Sequence, residues 1–250
     1  EIKNWNLIHR LDGVPEEKRT ARFVCVIAAV LPDGRTLTAE GTMEGVIAHE
    51  PAGAGGFGYD PILMLPEYGK TSAEISMKIL IVSDTHRRDG NLRAIIEKQS
   101  PFDMLIHLGD TEGSEIYFKE WVNNDNCVIH VVRGNNDFFS QTDKEKEISI
   151  GKYRAFLTHG HMYGVSFELE TIKEEARARK VDIVMFGHTH KPHLEYCEDG
   201  LVVLNPGSLS YPRQDGRKPS YMLMEIDRNG EAHYTVCYVD QDRDIPSGLY

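Results

Sequence analysis

An α/β architecture of sheets flanked by helices, preceded by a smaller β-rich segment, is what this sequence predicts. Three observations carry that expectation. After Met77, apolar runs of strand length alternate with stretches of helical period; before it, two long strand-like runs flank a Pro-Asp-Gly turn; and polar clusters sit directly behind the apolar runs. The chain has 250 residues, 40% hydrophobic and 27% charged, enough to bury one large core or two small ones.

Before Met77, residues 22–30 and 36–47 are strand-like and are separated by Pro32-Asp33-Gly34, which predicts a β-hairpin. Glycines then crowd the stretch 53–61, where backbone must bend sharply or admit a close neighbour. Met77 opens an apolar run that reads as the first strand of an independent domain, so the boundary is expected between residues 76 and 77. Strands follow at 79–82, 104–108, 128–132, 156–158 and 183–186. Helix faces are expected at Leu92-Ile95-Ile96 and at Ile116-Phe118-Trp121-Val122. Residues 166–180 run from acidic (Glu168, Glu170) to basic (Arg177, Arg179, Lys180), matching a helix dipole. The tail reads as strands at 193–197, 201–204, 221–227 and 232–239, with hairpin turns at 198–200 and 227–230.

Composition narrows the function classes. No apolar run approaches the ~20 residues of a bilayer span and no charged-then-apolar leader opens the chain, so a cytoplasmic protein without a membrane partner is expected. With 28 Lys+Arg against 39 Asp+Glu, the net charge of −11 gives no support for stable nucleic-acid binding, although a divalent metal would reverse the sign locally. Cys25, Cys127, Cys197 and Cys237 show no CxxC pairing and are expected to be reduced core thiols.

Five polar clusters fall behind the predicted strands: Asp84-Thr85-His86, Gly109-Asp110, Gly134-Asn135-Asn136-Asp137, His159-Gly160-His161 and Gly187-His188-Thr189-His190. Each is expected to project from the same sheet edge, where open α/β sheets place ligands. Gathering Asp84, His86, Asp110, Asn135, His159, His188 and His190 without a cation would leave buried polar groups unpaired. Carboxylate oxygen with imidazole nitrogen suits Mn, Fe, Zn, Ni or Co better than an all-oxygen Mg or Ca cage. Seven ligands exceed what one such ion takes, whereas two ions sharing Asp110 as a bridge use them all. The glycines Gly109, Gly134, Gly160 and Gly187 are expected to let the backbone turn at this rim. His107 and His130, inside apolar strands, are expected to be satisfied core or surface residues.

In their order, Asp-x-His, Gly-Asp, Gly-Asn-x-Asp, His-Gly-His and Gly-His-x-His resemble the calcineurin-like metallophosphoesterases, over residues 77 to about 240. Asn205-Pro206-Gly207-Ser208 with Tyr211-Pro212-Arg213 is similar to the C-terminal signature of the small bacterial and archaeal phosphodiesterases. The resemblance implies a four-layer α/β/β/α sandwich and hydrolysis of a phosphate ester, a diester first, by a metal-activated water. It implies Asp84, His86 and His190 on one metal and Asn135, His159 and His188 on the other, with Asp110 between; Mn is the expected ion. Many relatives carry His where this chain has Asn136, and Asn cannot donate a proton usefully, which leaves His161 or a metal-bound water as substitutes. Arg213 reads equally well as a phosphate-facing guanidinium and as a surface residue. A rival reading is a non-catalytic scaffold, as in the retromer subunit of this superfamily, against which the intact ligand set argues.

Residues 1–76 look like the second half of an inosine triphosphate pyrophosphatase family domain, on Arg19-x-Ala21-x-Phe23, Gly56-Phe57-Gly58-Tyr59-Asp60-Pro61 and Lys70-Thr71-Ser72-Ala73-Glu74. The resemblance implies Phe57, Tyr59 and Asp60 at a purine pocket. The family's phosphate-binding segment, its Asp-Ser-Gly stretch and the following Ser-His-Arg are not found, so no pyrophosphatase activity is expected and a glycine-rich loop in a remnant β-layer is the reading for 57–60. Such a fragment is expected to leave a sheet edge open for another chain, a homo-oligomer included. A further reading is a fusion protein in which this segment delivers nucleotide-derived esters to the second domain.

Overall fold

The computed structural model describes residues 2–30, 34–53, 58–66, 68–227 and 230–239. Phe57 and the turn residues Pro32, Asp33, Arg228 and Asn229 therefore lie outside the described residues. The chain divides into two compact units, Glu1–Met77 and Lys78–Tyr250. No helix among the described residues is long and apolar enough to cross a membrane.

In the first unit, α1 (Ile2–Arg10) buries Asn4 and Ile8. Strands β1 (Thr20–Val30) and β2 (Thr36–Ile47) pair antiparallel with Thr20 opposite Val46 and Val30 opposite Thr36. β3 (Leu63–Leu65) and β4 (Lys70–Thr71) complete a sheet in the order β1-β2-β3-β4. The short α2 (Ser72–Ile75) opens with a capping box: the Thr71 hydroxyl accepts from Glu74 N, and Thr71 N donates to the Glu74 carboxylate. Ile8, Ile47 and Ile62 form a small core, and the buried Arg19 closes it by donating to the carbonyls of Leu11, Ile47 and Ala48, each at 2.9 Å. β1 is an edge of this sheet, and Val24, Val26, Ile27, Val30 and Leu37 are exposed along the hairpin.

The second unit runs β5 (Met77–Val82), α3 (Gly90–Gln99), β6 (Met104–His107), a 3-10 turn Ser114–Tyr117, α4 (Phe118–Val122) and β7 (Val128–Val131). It continues through β8 (Glu145–Ile150), β9 (Tyr153–Thr158), α5 (Glu170–Arg179), β10 (Ile183–Met185) and β11 (Pro192–Tyr196). β12 (Val202–Pro206), β13 (Ser220–Ile226) and β14 (Ala232–Tyr238) end it. Two five-stranded sheets result, ordered β14-β13-β5-β6-β7 and β11-β12-β10-β9-β8. Strands β5, β6 and β7 are parallel in the first, and β9, β10 and β12 in the second.

Alternation along the strands explains the layers. Leu80, Val82 and Leu105 pack on Leu92, Ile95, Ile96 and Phe118 of the helices, while Ile79, Ile81 and Ile106, equally inaccessible, face the other way into the sandwich. On the second sheet Phe156, Val184 and Val203 take Ile172 and Ala176 of α5. Each such buried side chain contributes ~1.5–3 kcal/mol, and the α/β/β/α order follows from giving both faces of both sheets a cover.

The structure corrects several expectations. The polar clusters leave two sheets, not one edge: three follow β5, β6 and β7, and two follow β9 and β10. β8 is an additional strand that the charged run Glu145-Lys146-Glu147 hides; as an edge strand it carries those charges, paired with Arg154 and Arg179. Ile116 is 72% exposed, because the 3-10 turn rotates it off the helix face that Phe118 and Val122 share. α5 starts at Glu170, after Glu168, and stops at Lys180 in the left-handed conformation. The cysteines are unpaired thiols but not core residues: Cys25 is exposed on β1, and the other three are half-buried.

His107, at the end of β6, is fully buried; Gly109 N donates to its Nδ1 and its Nε2 meets the Thr85 hydroxyl at 3.2 Å. Burial pushes its pKa down to about 4. Between pH 6.5 and 4 the unfolded chain therefore holds a proton that the folded chain refuses. The second unit should lose on the order of 3 kcal/mol as the pH falls through that window. Urea unfolding against pH should show a shallower slope for His107→Gln; parallel curves for the two proteins would contradict this account.

Candidate metal centre

The backbone at the strand ends is strained in a pattern that aims side chains inward. Asp84, His86, Asp110, His188 and His190 all have positive φ, between 45° and 68°, although none is glycine. Each costs of order 1–3 kcal/mol and persists only where the surroundings over-determine it. The adjoining glycines matter by proximity more than by turning. A Cβ on Gly134 would lie 2.1 Å from Asp110 Oδ1, and one on Gly187 2.1 Å from the Ser83 hydroxyl. Neither has a positive φ, which corrects the expectation that they serve as turns; Gly109 does turn, at 98°.

Asp84, His86, Asp110 and His190 each offer one ligand atom, all within 4.8 Å of one another. Three imidazoles in and beside this group share one arrangement. His86 Nδ1 donates to Glu112 Oε1 (2.7 Å), His159 Nδ1 to the Leu108 carbonyl (2.6 Å) and His190 Nδ1 to the Tyr211 carbonyl (2.7 Å). Since those partners only accept, each neutral ring carries its proton on Nδ1 and turns an Nε2 lone pair inward. His190 Nε2 then faces Asp84 Oδ1 at 3.1 Å, and His86 Nε2 faces His190 Nε2 at 3.5 Å and Asp110 Oδ2 at 3.7 Å. His159 Nε2 faces Asp110 Oδ2 at 3.4 Å and Asn135 Oδ1 at 3.1 Å. Asp84 Oδ1 is buried without a hydrogen-bond partner, while its other oxygen is held by the Ser83 hydroxyl and His188 N. Nε2 atoms of His86 and His190 aimed at buried carboxylate oxygens, beside an unpartnered Asp84 Oδ1, are the donor set of a cation, and this mix of oxygen and nitrogen fits a divalent transition metal.

Charge follows the same logic. Burial by itself would push the Asp110 carboxyl up, yet hydrogen bonding from His159, that ring's charge and the two donors of Asn136 bring it far below the carboxylate range. Burial likewise presses Asp84 up, and His190, His159 and Ser83 outweigh it. Burial pushes the His159 ring down, but Asp110 and Asp84 raise it to about 9. His161 and His188 shift the other way, lowered by burial and by the positive charge of His159. His188 lies beside this group, its ring centroid 5.2 Å from that of His159.

Several residues that hold the centre escaped the sequence reading. Asp137 accepts from Asp110 N, Gly134 N, Glu112 N and the Thr111 hydroxyl, locking two strand-end loops together. Its signal was present, as the last residue of Gly-Asn-x-Asp. Glu112 gave none. Ser208 donates to the Asp84 carbonyl, Ser210 to the Thr85 carbonyl and Asn205 to the Gly187 carbonyl, which gives the Asn205-Pro206-Gly207-Ser208 stretch a structural reason. Asn136, a candidate for the chemistry, spends its backbone N–H and side-chain amide on the two oxygens of Asp110 (2.9 and 2.7 Å). His161 Nδ1 is buried and unpartnered, its ring 5.5 Å from that of His159. Arg213 lines a cleft of about 740 Å³ with His86, His190, Tyr211 and Arg217. In the first unit Asp60 accepts from the Ser72 hydroxyl at 3.0 Å, and Tyr59 is 45% exposed.

A model of the calcineurin-like phosphoesterase superfamily domain matches residues 77–229, and one of the Ham1 family matches residues 1–84. The probable metallophosphoesterase YsnB of Bacillus subtilis is 30% identical over 172 residues, 66% of this chain and 92% of that protein. A dITP/XTP pyrophosphatase of Desulforamulus reducens is 56% identical over 75 residues, 30% of this chain and 37% of that protein. The chain thus spans little more than a third of the length of the pyrophosphatases it matches. Among solved structures, zinc-bound Vps29 from Entamoeba histolytica is 25% identical with a TM-score of 0.51, covering 65% of this chain and 99% of its own. An archaeal phosphodiesterase is 26% identical with a TM-score of 0.50, covering 64% of this chain and all of its own.

A cation entering the centre must displace the proton that Asp110 and Asp84 hold on His159. Binding of Mn at pH 7 should release about one proton, and affinity should rise roughly tenfold per pH unit until about pH 9, where the ring is already deprotonated. Calorimetry in buffers of different ionisation enthalpy measures the count; Mn uptake without proton release would contradict the assignment.

Proposed function

Because the chain belongs, through residues 77–229, to the calcineurin-like phosphoesterase superfamily, we propose that it hydrolyses phosphodiesters with two divalent ions. Asp84, His86 and His190 hold one ion, Asn135, His159 and His188 the other, and Asp110 bridges them. One observation carries this reading: His86, His159 and His190 aim Nε2 at the carboxylate oxygens of Asp84 and Asp110 while the Nδ1 of each is anchored behind. When bound, such ions supply Lewis-acid stabilisation of the phosphate and acidify a water. Mn suits the ligand chemistry, and Ni, Fe, Zn or Co would also fit.

The protein's own groups set the rest. Arg213 and Arg217 line the cleft beside His86 and His190 and bring positive charge to a chain of net −11, favouring an anionic ester at that mouth. Asn136 orients Asp110 through two donated hydrogen bonds and has no proton to give a leaving oxygen. Burial and the charge of His159 lower the His161 pKa. His161 or a water is then left to protonate the departing alcohol. For residues 1–76 the family resemblance is to nucleoside triphosphate pyrophosphatases, and Asp60 accepts from the Ser72 hydroxyl there. The likeness to Vps29 leaves a scaffold as the second reading, which metal content and turnover separate.

Chelation should abolish hydrolysis of bis(p-nitrophenyl) phosphate and Mn should restore it. Asp110→Ala and His188→Ala should each lose bound metal and turnover together, by more than the 10–100-fold of an outer-shell change; an active, metal-free variant would refute the assignment. With Asn136 unable to donate a proton, rates should fall steeply as the leaving alcohol becomes more basic. Equal rates for nitrophenyl and alkyl esters would reject that role for Asn136.

A further inference from the structure

A second cleft, of about 770 Å³, opens beside the metal centre and is lined by Ile116, Phe138, Phe139, Arg87, Glu112 and Asn136. Its inner wall is shared with the centre. Asn136 holds Asp110 at 2.7 Å and Glu112 holds His86 at 2.7 Å, so the cleft adjoins the proposed metal ligands through these two residues. Its outer wall is apolar and open to water. Ile116 is 72% exposed, Phe138 77% and Phe139 96%. Three large hydrophobic side chains in one concave patch are an arrangement that water penalises and that marks a binding surface.

Charge limits what fits. Glu112, Glu115 and Asp137 line the cleft against the single cation Arg87, so a second phosphate would be repelled while an uncharged ring would not. The phenylalanines offer flat apolar faces for stacking, and Arg87 and Glu112 offer a donor and an acceptor for a polar ring edge. We propose that this cleft is a subsite for the nucleobase of a nucleoside phosphodiester, with Phe138 and Phe139 as its specificity-determining residues. This deepens the phosphodiesterase reading and rests on it for catalysis but not for binding.

The test pairs two diesters that share a leaving group, thymidine 5′-(p-nitrophenyl phosphate) and methyl p-nitrophenyl phosphate, on the full-length Mn-loaded protein. Wild type should favour the nucleoside ester about tenfold or more in kcat/KM, chiefly through KM, as expected for one stacked base. In the double variant Phe138→Ala, Phe139→Ala that preference should collapse toward one, while Phe167→Ala, which removes an exposed ring elsewhere, should retain it. Calorimetric binding of thymidine 5′-monophosphate against methyl phosphate gives a readout without turnover. If neither diester is cleaved but the nucleotide binds at least tenfold tighter and loses that margin in the double variant, the subsite stands and the catalytic reading falls. Equal treatment of the two esters and the two monoesters by wild type, or a preference unchanged in the double variant, overturns the subsite.

Discussion

The crowding of carboxylates and imidazoles at the strand ends is the constraint on which the site of the second unit depends. Asp84 Oδ1, Asp110 Oδ2 and three imidazole Nε2 atoms lie 3.1–4.0 Å apart, and a buried member left unpaired, as Asp84 Oδ1 is, costs on the order of 1–3 kcal/mol. That arrangement survives because every member is held from behind. Glu112, the Leu108 carbonyl and the Tyr211 carbonyl fix the rings, Ser83 and His188 N fix one carboxylate, and Asn136 fixes the other. The left-handed backbone at five of these positions and the glycines that leave no room for a Cβ are consequences of the same demand.

The two sheets divide the work. The first contributes both carboxylates, His86 and Asn135 from the ends of β5, β6 and β7, and the second contributes His159, His188 and His190 from the ends of β9 and β10, so the centre exists only where the layers meet. Hydrogen bonds from the stretch 205–210 tie the two sets of loops, since Asn205 reaches Gly187 on one side and Ser208 reaches Asp84 on the other. Asp137 does the same between the loops behind β6 and β7.

The first unit shows the opposite balance. Its core is small, its long hairpin exposes Val24, Val26, Ile27 and Val30, and its stability leans on polar devices, namely the buried guanidinium of Arg19 on three carbonyls and the Thr71–Glu74 capping box. Arg19 was noted in the sequence as part of a family pattern, and the structure supplies its physical reason.

Legibility followed the range of the interaction. Strand existence was readable because a fully buried parallel strand must be an uninterrupted apolar run, as at 79–82 and 104–107; the charged edge strand β8 broke that rule and was missed. Candidate ligands were readable because Asp-x-His and His-x-His are local patterns at strand ends. What remained hidden was decided between residues far apart in the chain: the split of the polar clusters between two sheets, the rotation of Ile116 into solvent, the exposure of Cys25, the Glu112 support of His86 and the convergence of Phe138 with Ile116. A sequence records which groups seek burial, pairing or a left-handed turn. Only packing decides which of them meet, because contact energies fall off within a few ångströms and the chain brings distant segments that close in no other way.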